Sequence, residues 1–399
     1  MRIDRGGWLL FAAHGLSGLG TGPFIAFGAI YQHQLGASAF EIGLLAAVGM
    51  VVATLVMLPG TPLAERRDLR KTIIAGWAIA VPAPLCYAVA PHWLWTAAGI
   101  LFMQAAVVNA PAISVYLSIG IPRDRIAVVM TTVLSAYSIG LIISNLAAGW
   151  LAQVAPMSAL FWASFVFFLL AAICIAFLPS KTQPRTAMPA VRYRDLMHFP
   201  AYRVMLALFT LVTIIIFIPW SFTALYARQG AGVSNLWIGI LMGGLYLGSV
   251  LIGLSLGQLR RRFGSVSIVL CFEAAYVLSA ILLLSSMALP VLALAFFLRG
   301  GFWSFRQVMT AVIGEVLPDH AMAKGYGLFA LVTGAVVVIA YPIGGWMYGR
   351  QPGIPFWSSA ILMAIAMLVT LAVRAYFHAN YLKPTQVEIA ADDALPRAA

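Results

Sequence analysis

Two arginines, Arg299 and Arg306, lie seven positions apart in an otherwise apolar stretch of the sequence. In a continuous α-helix this spacing places both on one face, about 10.5 Å apart along the axis, with Trp303 between them. An arginine inside an apolar membrane segment costs at least ~2.5–3.5 kcal/mol on insertion scales, so it normally faces water or an ionic partner. Arg299 has no obvious acidic partner in any apolar stretch. We therefore expect Arg299, with Trp303 and Arg306, to bind the negative group of a solute.

Three titratable residues near or within apolar stretches are candidates for moving protons. Glu273 lies in the stretch before Arg299 and is an alternative, ionic partner for Arg306. Glu315 ends the stretch that holds the arginines, and His14 is the titratable group of the first stretch. A histidine can change charge near neutral pH. If protons accompany a solute, one of these three residues must carry them; otherwise the protein moves one solute alone or exchanges two.

The sequence indicates no enzymatic chemistry and no cofactor. It contains no phosphate-binding loop of the kind used by nucleoside triphosphatases, and no histidine and cysteine group has the spacing of a metal site. Cys86, Cys174 and Cys271 lie far apart in apolar stretches, where we expect them to serve packing. We predict a protein without a metal, a cofactor or catalytic residues.

Polar and aromatic residues form one-sided stripes along three further apolar stretches, recurring every three or four positions as residues on one helix face do. The first stretch carries His14, Ser17, Thr21, Phe24, Gly28 and Tyr31; the seventh carries Thr210, Thr213, Phe217 and Trp220; the fourth carries Gln104 and Asn109, followed by Ser114 and Tyr116. We expect the stripes to face a shared cavity. The alternative is that the hydroxyl groups hydrogen-bond neighbouring helices, as is common in membranes.

The composition identifies the elements that must position these residues. Hydrophobic residues make up 62% of the chain and charged residues 9%, against about 45–50% and about 25% in soluble proteins. So few charges cannot cover a surface that faces water, which excludes soluble enzymes, nucleic-acid-binding proteins and disordered scaffolds. Twelve runs reach the ~20 residues of a membrane-spanning helix, approximately at 8–33, 41–59, 72–90, 94–119, 126–153, 158–179, 204–228, 236–257, 266–288, 291–316, 325–349 and 357–378.

The first run is interpreted as a retained membrane span. Arg2 and Arg5 precede it, and Ala37-Ser38-Ala39 resembles a signal-peptidase site. However, the run from Trp8 to about His33 is much longer than the 7–15 apolar residues of a signal peptide core.

The distribution of basic residues predicts the orientation. With the N-terminus in the cytoplasm, all of the 24 lysines and arginines fall on the cytoplasmic side except Arg228, Arg299, Arg306 and Arg350. Cytoplasmic loops are enriched in lysine and arginine. We therefore expect an integral protein of the plasma (inner) membrane, with both termini cytoplasmic and its net charge of +12 facing lipid headgroups rather than nucleic acid.

The chain contains an internal repeat. A shift of 196 residues superposes Pro23 on Pro219, Ile42-Gly43 on Ile238-Gly239, and Gly149-Trp150 on Gly345-Trp346. We predict two six-helix halves, residues 1–180 and 204–378, joined by a cytoplasmic loop at 181–203 and followed by a tail at 379–399. Internal repeats of this kind build transporters, with the substrate site between the halves near the middle of the bilayer.

The segment after the second span resembles a family signature. Thr61-Pro62-Leu63-Ala64-Glu65-Arg66-Arg67-Asp68-Leu69-Arg70 is similar to the Gly-x-x-x-Asp-Arg-x-Gly-x-Arg loop of the major facilitator superfamily, without its glycines. The corresponding segment after the eighth span, Gly257 to Gly264, keeps two glycines but has Arg261 in place of the acid. The resemblance covers nearly the whole chain and implies an all-α fold of twelve membrane helices in two repeats. It also implies that helices 1, 4, 7 and 10 line a central cavity and that Glu65, Arg66, Arg70 and Arg262 form a conformational latch; simple membrane anchoring is the alternative for each arginine.

The function that the resemblance implies is secondary active transport of a small solute, anionic or amphipathic, by alternating access in a monomer. Gly140, Ser144, Asn145, Ala148 and Gly149 match a small-residue pattern on helix 5 of exporters, without its proline. With the compact length of the chain, this pattern favours export of a drug or organic anion. The alternatives are an uptake permease, a lipid flippase or pigment-handling assembly factor, and a sensor derived from a transporter, for which the tail is too short.

Overall fold

The computed structural model describes residues 4–66, 69–121, 123–181, 193–263 and 265–380. These parts of the chain are α-helical, with short connections and without strands. The helices are Arg5–Gln34, Ala39–Arg66, Leu69–Ala80, Pro82–Ala88, Trp95–Ala105, Ala110–Ser118, Arg123–Val154, Met157–Ala176, Tyr193–Leu196, Pro200–Trp220, Thr223–Ala231, Asn235–Phe263, Ser265–Ser285, Leu289–Arg299, Gly301–Val316, Asp319–Arg350 and Ile354–Asn380, with a 3₁₀ turn at Ala106–Asn109.

These helices form twelve spans, numbered here in chain order. Span 3 consists of Leu69–Ala80 and Pro82–Ala88, span 4 of the two helices from Trp95 to Ser118, and span 7 of Pro200–Trp220 and Thr223–Ala231. Eleven spans in the described residues are long and apolar enough to cross a membrane. The prediction of an all-α, twelve-span membrane fold is confirmed, and the chain is an integral membrane protein.

Span 10 differs from the single run expected at 291–316. It consists of two helices, Leu289–Arg299 and Gly301–Val316, and its continuously apolar part, Leu289–Trp303, is shorter than in the other spans. Arg299, Arg306 and Glu315 lower the hydropathy of this region because charged groups are poorly tolerated by hydrocarbon. The spacing rule for one continuous helix therefore does not apply across Gly300.

The two halves repeat the same packing. Span 1 packs on spans 5 and 6, and span 7 packs correspondingly on spans 11 and 12. Span 3 contacts spans 4 and 6, as span 9 contacts spans 10 and 12. The largest contacts between the halves join span 2 to span 11 and span 5 to span 8. The outer faces carry large exposed apolar residues, among them Leu254, Leu368 and Trp150, which suit hydrocarbon and not water.

Because the spans alternate in direction, both described ends of the chain lie on one side, here called the terminal face; the other side is the opposite face. Glycines allow the halves to meet near the opposite face. A Cβ atom added to Gly239 of span 8 would lie 2.7 Å from the Cα of Gly149 in span 5. On span 11, a Cβ added to Gly345 would lie 2.5 Å from the carbonyl oxygen of Ala39 in span 2. These two places are called the glycine crossings.

Local sequence explains how span 2 begins. The Ser38 N–H donates a 2.7 Å hydrogen bond to Oε2 of Glu41, and the Glu41 N–H donates to Oγ of Ser38 at 3.3 Å. This reciprocal capping satisfies N–H groups that a helix leaves unpaired at its first turn. Gly36 has φ of 94° in the preceding turn, a conformation that a side chain would disfavour.

Candidate functional site

A cavity of about 860 Å³ lies between the halves, from mid-membrane toward the terminal face. It is called the central cavity. Spans 1, 3, 4, 5 and 6 supply most of its wall, and spans 8 and 10 supply the facing side. Of the predicted site residues, those that line it are His14, Ser17, Thr21, Phe24, Gln104, Asn109, Trp303 and Arg306. The first four residues of the stripe predicted on span 1 therefore face this cavity, whereas Gly28 and Tyr31 do not line it. On span 4, Gln104 and Asn109 line it, whereas Ser114 and Tyr116 do not.

Hydrogen bonds within span 1 orient its stripe. The hydroxyl of Thr21 donates to the Ser17 carbonyl oxygen at 2.8 Å, one turn earlier. Nδ1 of His14 lies 2.8 Å from the Leu10 carbonyl oxygen, so this nitrogen carries the proton in the neutral ring. The His14 ring also meets Trp77 edge to face, at 5.5 Å between centroids. Nε2 of His14 is thus the nitrogen that can accept a further proton.

Arg306 is the only arginine, lysine, aspartate or glutamate among the described residues of the cavity wall. Its side chain is exposed, and no hydrogen bond or ion pair joins its guanidinium to any side chain that the structure describes. Trp303 lies one turn earlier on the same helix, and Thr310 one turn later, both also in the wall. A lone cation in a cavity bounded by apolar groups is a strong site for an anion.

The expectation that Arg299 faces the central cavity is wrong. Arg299 is only 1% exposed and is absent from the described cavity wall. Its Nη2 donates to the hydroxyl of Tyr276 at 3.2 Å, and the guanidinium lies 5.0 Å from the Tyr276 ring centroid and 5.6 Å from that of Phe356. Tyr276 and Phe356 belong to spans 9 and 12, so Arg299 faces the interior of its own half rather than the space between the halves.

The expected pair between Glu273 and Arg306 is also absent from the described contacts. Glu273 is fully buried, and its Oε1 accepts a 2.8 Å hydrogen bond from the hydroxyl of Thr370 in span 12. Its Oε2 has no hydrogen-bond partner among the described residues. The reason is geometric: Glu273 faces span 12, whereas Arg306 faces the cavity. The Glu315 side chain lies outside the described residues.

Thr213 does not line either cavity described here. It is buried, and its hydroxyl donates to the Phe209 carbonyl oxygen at 2.6 Å, which satisfies it within its own helix. This hydroxyl thus neither faces a cavity nor bonds a neighbouring helix. Trp220, on the same span, does line a cavity, but a different one from the central cavity.

A second space, called the small cavity, has a volume of about 250 Å³ and adjoins the central cavity on the side of the opposite face. Four residues, Phe24, Ile25, Met103 and Gln104, line both. Spans 1, 2, 3, 4, 7, 8 and 11 contribute to its wall. The spans named by the resemblance thus divide between the two spaces: span 7 lines only the small cavity, and span 10 only the central one, in the described residues.

Sequence reasoning missed several wall residues from other spans. Trp77, Tyr137, Tyr246 and Ser249 line the central cavity from spans 3, 5 and 8. Each is a polar or aromatic residue within an apolar run, but none belongs to a stripe as long as that on span 1. Only helix packing places them at the wall.

The predicted latch is described in one residue only. Nη2 of Arg70 donates to the carbonyl oxygen of Ala176 at 3.0 Å, which joins spans 3 and 6 within the first half. The side chains of Glu65, Arg66 and Arg262 lie outside the described residues, as do residues 182–192 of the predicted loop at 181–203 and residues 381–399 of the predicted tail.

At the opposite face, a hydrogen bond between Gln229 and His33 joins the halves, and Tyr348 bonds Gln229 within the second half. Nε2 of Gln229 lies 3.0 Å from Nε2 of His33, and the hydroxyl of Tyr348 donates to Oε1 of Gln229 at 2.7 Å. His33 belongs to span 1, whereas Gln229 and Tyr348 belong to spans 7 and 11. Together with the glycine crossings, these contacts close the opposite face.

Comparison with known proteins agrees with this architecture. Residues 10–305 match the sequence model of the Major Facilitator Superfamily. A solved structure of the nucleoside transporter NupG, as its D323A mutant, superposes with a TM-score of 0.80 at 13% identity, covering 92% of this chain and 99% of that one. A bacterial homologue of the human lysosomal transporter Spinster, solved in an inward-facing and unoccupied conformation, gives a TM-score of 0.72 at 12% identity, with 95% and 98% covered.

A POT family transporter in complex with a thioalcohol-conjugated peptide gives a TM-score of 0.75 at 12% identity, with 95% and 97% covered. At these identities the likeness shows the fold alone. No curated protein sequence matches the chain.

Proposed function

The chain belongs to the major facilitator superfamily, and from this premise we propose that it is a secondary active transporter of a small anionic or amphipathic solute. It has the fold of the superfamily's transporters. The observation that carries the proposal is the central cavity of about 860 Å³, whose one described cationic side chain is Arg306. The solved relatives include a nucleoside transporter and a peptide-bound transporter. The fold therefore does not identify the substrate class, which has to be inferred from the residues of the cavity wall.

Alternating access is supported by how the halves meet. The glycine crossings and the His33–Gln229 contact join the halves near the opposite face, and the central cavity extends toward the terminal face. With both termini in the cytoplasm, as the basic residues predict, this is an inward-facing conformation. Rocking of one half against the other would open the opposite face around the same central site.

Export is the direction that we propose. It is supported by the small-residue pattern that span 5 shares with exporters. Two residues of that pattern, Gly140 and Gly149, lie at close helix contacts: a Cβ added to Gly140 would lie 2.9 Å from the Leu19 nitrogen. Export would be supported if inside-out vesicles accumulate more solute than right-side-out vesicles. The two preparations are compared under driving gradients of equal size and opposite direction. The reverse ratio would assign uptake.

For coupling, we propose that His14 carries a proton. It lines the same cavity as Arg306, and its Nδ1 is held by the Leu10 carbonyl oxygen, which leaves Nε2 to accept the proton. Glu273 is remote from the described cavity wall and is the weaker candidate. His14→Gln should abolish the dependence of transport on a proton gradient while leaving exchange of labelled for unlabelled solute intact. Unchanged proton dependence in His14→Gln would remove His14 from the coupling mechanism.

The decisive experiment compares Arg306 with an arginine outside the cavity. Purified protein is screened by thermal shift against organic anions, cations and neutral solutes, and hits are followed as flux into proteoliposomes. Arg306→Gln should weaken binding of anionic hits by roughly tenfold to a hundredfold, because charge-assisted hydrogen bonds contribute about 1.5–3 kcal/mol. Arg306→Lys should not restore binding if recognition uses two parallel N–H groups.

The matched control is Arg350→Gln. Arg350 lies at the end of span 11, stacked 4.5 Å from the Trp346 ring centroid, and does not line either cavity. It makes the same change of charge without touching the site. Equal effects of the two substitutions on anion binding, or a full panel without binding or flux, would contradict the proposed function.

A further inference from the structure

The small cavity adjoins the central cavity but differs from it chemically. Phe24, Ile25, Met103 and Gln104 line both spaces, so the two spaces meet at this one layer of side chains. Among its described lining residues the small cavity has no charged side chain. A solute that occupied both spaces would therefore meet a cation in one and an uncharged wall in the other.

Four aromatic rings, from four different spans, contribute to the wall of the small cavity. Phe24, Tyr87, Trp220 and Tyr341 line it from spans 1, 3, 7 and 11. Phe24 and Tyr87 meet edge to face, with centroids 4.8 Å apart. Rings arranged in this way can receive another ring edge to face or offset, a contact that contributes beyond the area buried.

Two tryptophans connect the cation to the small cavity. Arg306 lies one turn after Trp303 on span 10, and both line the central cavity. Trp303 meets Trp220 of the small cavity edge to face, with 6.1 Å between centroids. The anion site and the aromatic site are thus neighbours along one line of side chains.

We propose that the small cavity binds the aromatic ring of an amphipathic anion whose carboxylate binds Arg306. This inference rests on the proposed function and gives its substrate class as aryl carboxylates. The volume is sufficient, because apolar protein cavities of about 150 Å³ bind benzene and the small cavity measures about 250 Å³. The amide nitrogen of Gln32 donates to the hydroxyls of Tyr87 and Thr96, both at 3.1 Å, which holds part of this wall in place without a ligand.

Gly28 makes the small cavity testable without altering Arg306. It lines the small cavity and not the central one, and a Cβ added there would meet no atom within 4 Å. Larger side chains at this position should fill the space without a clash in the backbone. Gly244 is a matched control, because a Cβ there also meets nothing within 4 Å and the residue lines neither cavity.

The experiment measures binding of radiolabelled 3-phenylpropionate and butyrate to the purified full chain by equilibrium dialysis. The two acids share a carboxylate and differ in the ring. We expect progressively weaker binding of 3-phenylpropionate in Gly28→Ala, Gly28→Leu and Gly28→Phe. For Gly28→Leu the dissociation constant should rise by roughly tenfold or more, because the side chain displaces the ring from its buried position. Butyrate binding should remain within about twofold in the same variants, which also shows that they are folded. Gly244→Leu should leave the binding of both acids unchanged.

Other outcomes separate this inference from the proposed function. One outcome is that Arg306→Gln weakens the binding of both acids while no Gly28 variant distinguishes them. In that case the assignment of an aromatic site to the small cavity is wrong, and the proposed transport of anions is still supported. If the unaltered protein binds neither acid, the aryl carboxylate class is overturned, whereas the anion assignment is overturned only if no anion of the thermal-shift panel binds. If Gly28→Leu weakens both acids equally, the small cavity does not discriminate the ring, and the inference also fails.

Discussion

At the scale of single residues, Arg299 and Arg306 have opposite surroundings despite their common helix face in the sequence. Arg306 lies in the cavity wall, whereas Arg299 is buried against Tyr276 and Phe356. Only Nη2 of Arg299 is hydrogen-bonded; Nε and Nη1 have no partner among the described residues. A buried charge with incomplete hydrogen bonding is expensive, and its removal by an apolar residue of similar volume is often neutral or stabilising.

We therefore predict that Arg299→Met keeps the melting temperature within about 2 °C of the unaltered protein, or raises it. Arg299→Ala should lower it by about 5 °C or more, because it leaves a cavity beside two aromatic rings. Thermal unfolding of the purified variants, followed by intrinsic fluorescence, measures both. A large loss of stability in Arg299→Met would mean that the guanidinium charge is compensated, and that its pairing is stronger than one hydrogen bond.

At the scale of elements, the glycine crossings join two pairs of long helices at equivalent positions of the repeat. Gly43 and Gly149 of the first half correspond to Gly239 and Gly345 of the second under the shift of 196 residues. The contact of Gly239 with Gly149 on spans 8 and 5 therefore has a counterpart in the contact of Gly43 with Gly345, on spans 2 and 11. Small residues permit this backbone approach in membranes.

Gly239→Ala should weaken the closed opposite face, because the added methyl group would lie 2.7 Å from the Cα of Gly149. We expect a cysteine placed in the central cavity, for example at Ser17, to be labelled several-fold faster from the opposite face. Gly244→Ala is the control, since its methyl group would enter open space. Equal labelling rates in the two variants would show that this crossing does not control opening.

A second inter-element contact ties the start of span 1 to the residues that follow span 6. Oδ2 of Asp4 lies 2.8 Å from Nζ of Lys181, and Oδ1 accepts a 2.8 Å hydrogen bond from the Gly7 N–H. Partial burial opposes ionisation of Asp4, but the hydrogen bonds from Lys181 and Gly7 and the Lys181 charge together hold its pKa below the usual range. A carboxyl group with a lowered pKa stabilises the folded state at neutral pH.

Asp4→Asn should lower the melting temperature by about 1–2 °C at pH 7, a small effect because Asp4 is half exposed. The stabilisation by Asp4 is fully present above the pKa of an unfolded aspartate, about 3.9, and is lost as the pH falls through the lower pKa of the folded state. The difference between Asp4→Asn and the unaltered protein should therefore shrink as the pH falls below about 3.9. Melting curves from pH 7 to pH 3 test this, and a difference that stays constant over the whole range would exclude the ionic contribution.

At the scale of the whole molecule, His33 and Gln229 are equivalent positions of the two repeats, since they are 196 residues apart. Equivalent residues can touch only near the pseudo-two-fold axis that relates the halves. Their contact therefore marks that axis at the opposite face. Alternating access requires this contact to break while the central cavity closes toward the terminal face.

Joining His33→Cys to Gln229→Cys with a short bifunctional thiol reagent should abolish transport, and cleavage of a reducible linker should restore it. The structural basis is that the reagent holds the opposite face closed. Each single cysteine variant, treated in the same way, should retain transport. Native Cys86, Cys174 and Cys271 are replaced by serine in this background, because all three are free thiols. Transport by the cross-linked protein would rule out opening of the halves at this point.

The sequence by itself determined the class of fold. Its composition requires a membrane environment, its apolar runs give the spans, and the shift of 196 residues predicts the repeat whose packing pattern both halves display. Such features follow from properties of single residues and of one helix at a time. The stripe on span 1 was predictable in the same way, because polar groups on a membrane helix must face either other protein groups or a water-filled cavity.

Only the tertiary structure decided which polar residues share a cavity. Arg299 and Arg306 differ because Arg299 faces spans 9 and 12 of its own half, whereas Arg306 faces the space between the halves. This depends on which helices surround span 10, and the spacing of residues along one helix does not contain it. Tyr137 and Tyr246 reach the central wall by the crossing of spans 5 and 8, and Trp220 belongs to a separate space. Whether a residue is exposed to a cavity depends on the position of the facing helices, whereas span formation depends on the residue's own run. For this reason the spans were predictable, whereas the division of the polar residues among the central cavity, the small cavity and the packed interior was not.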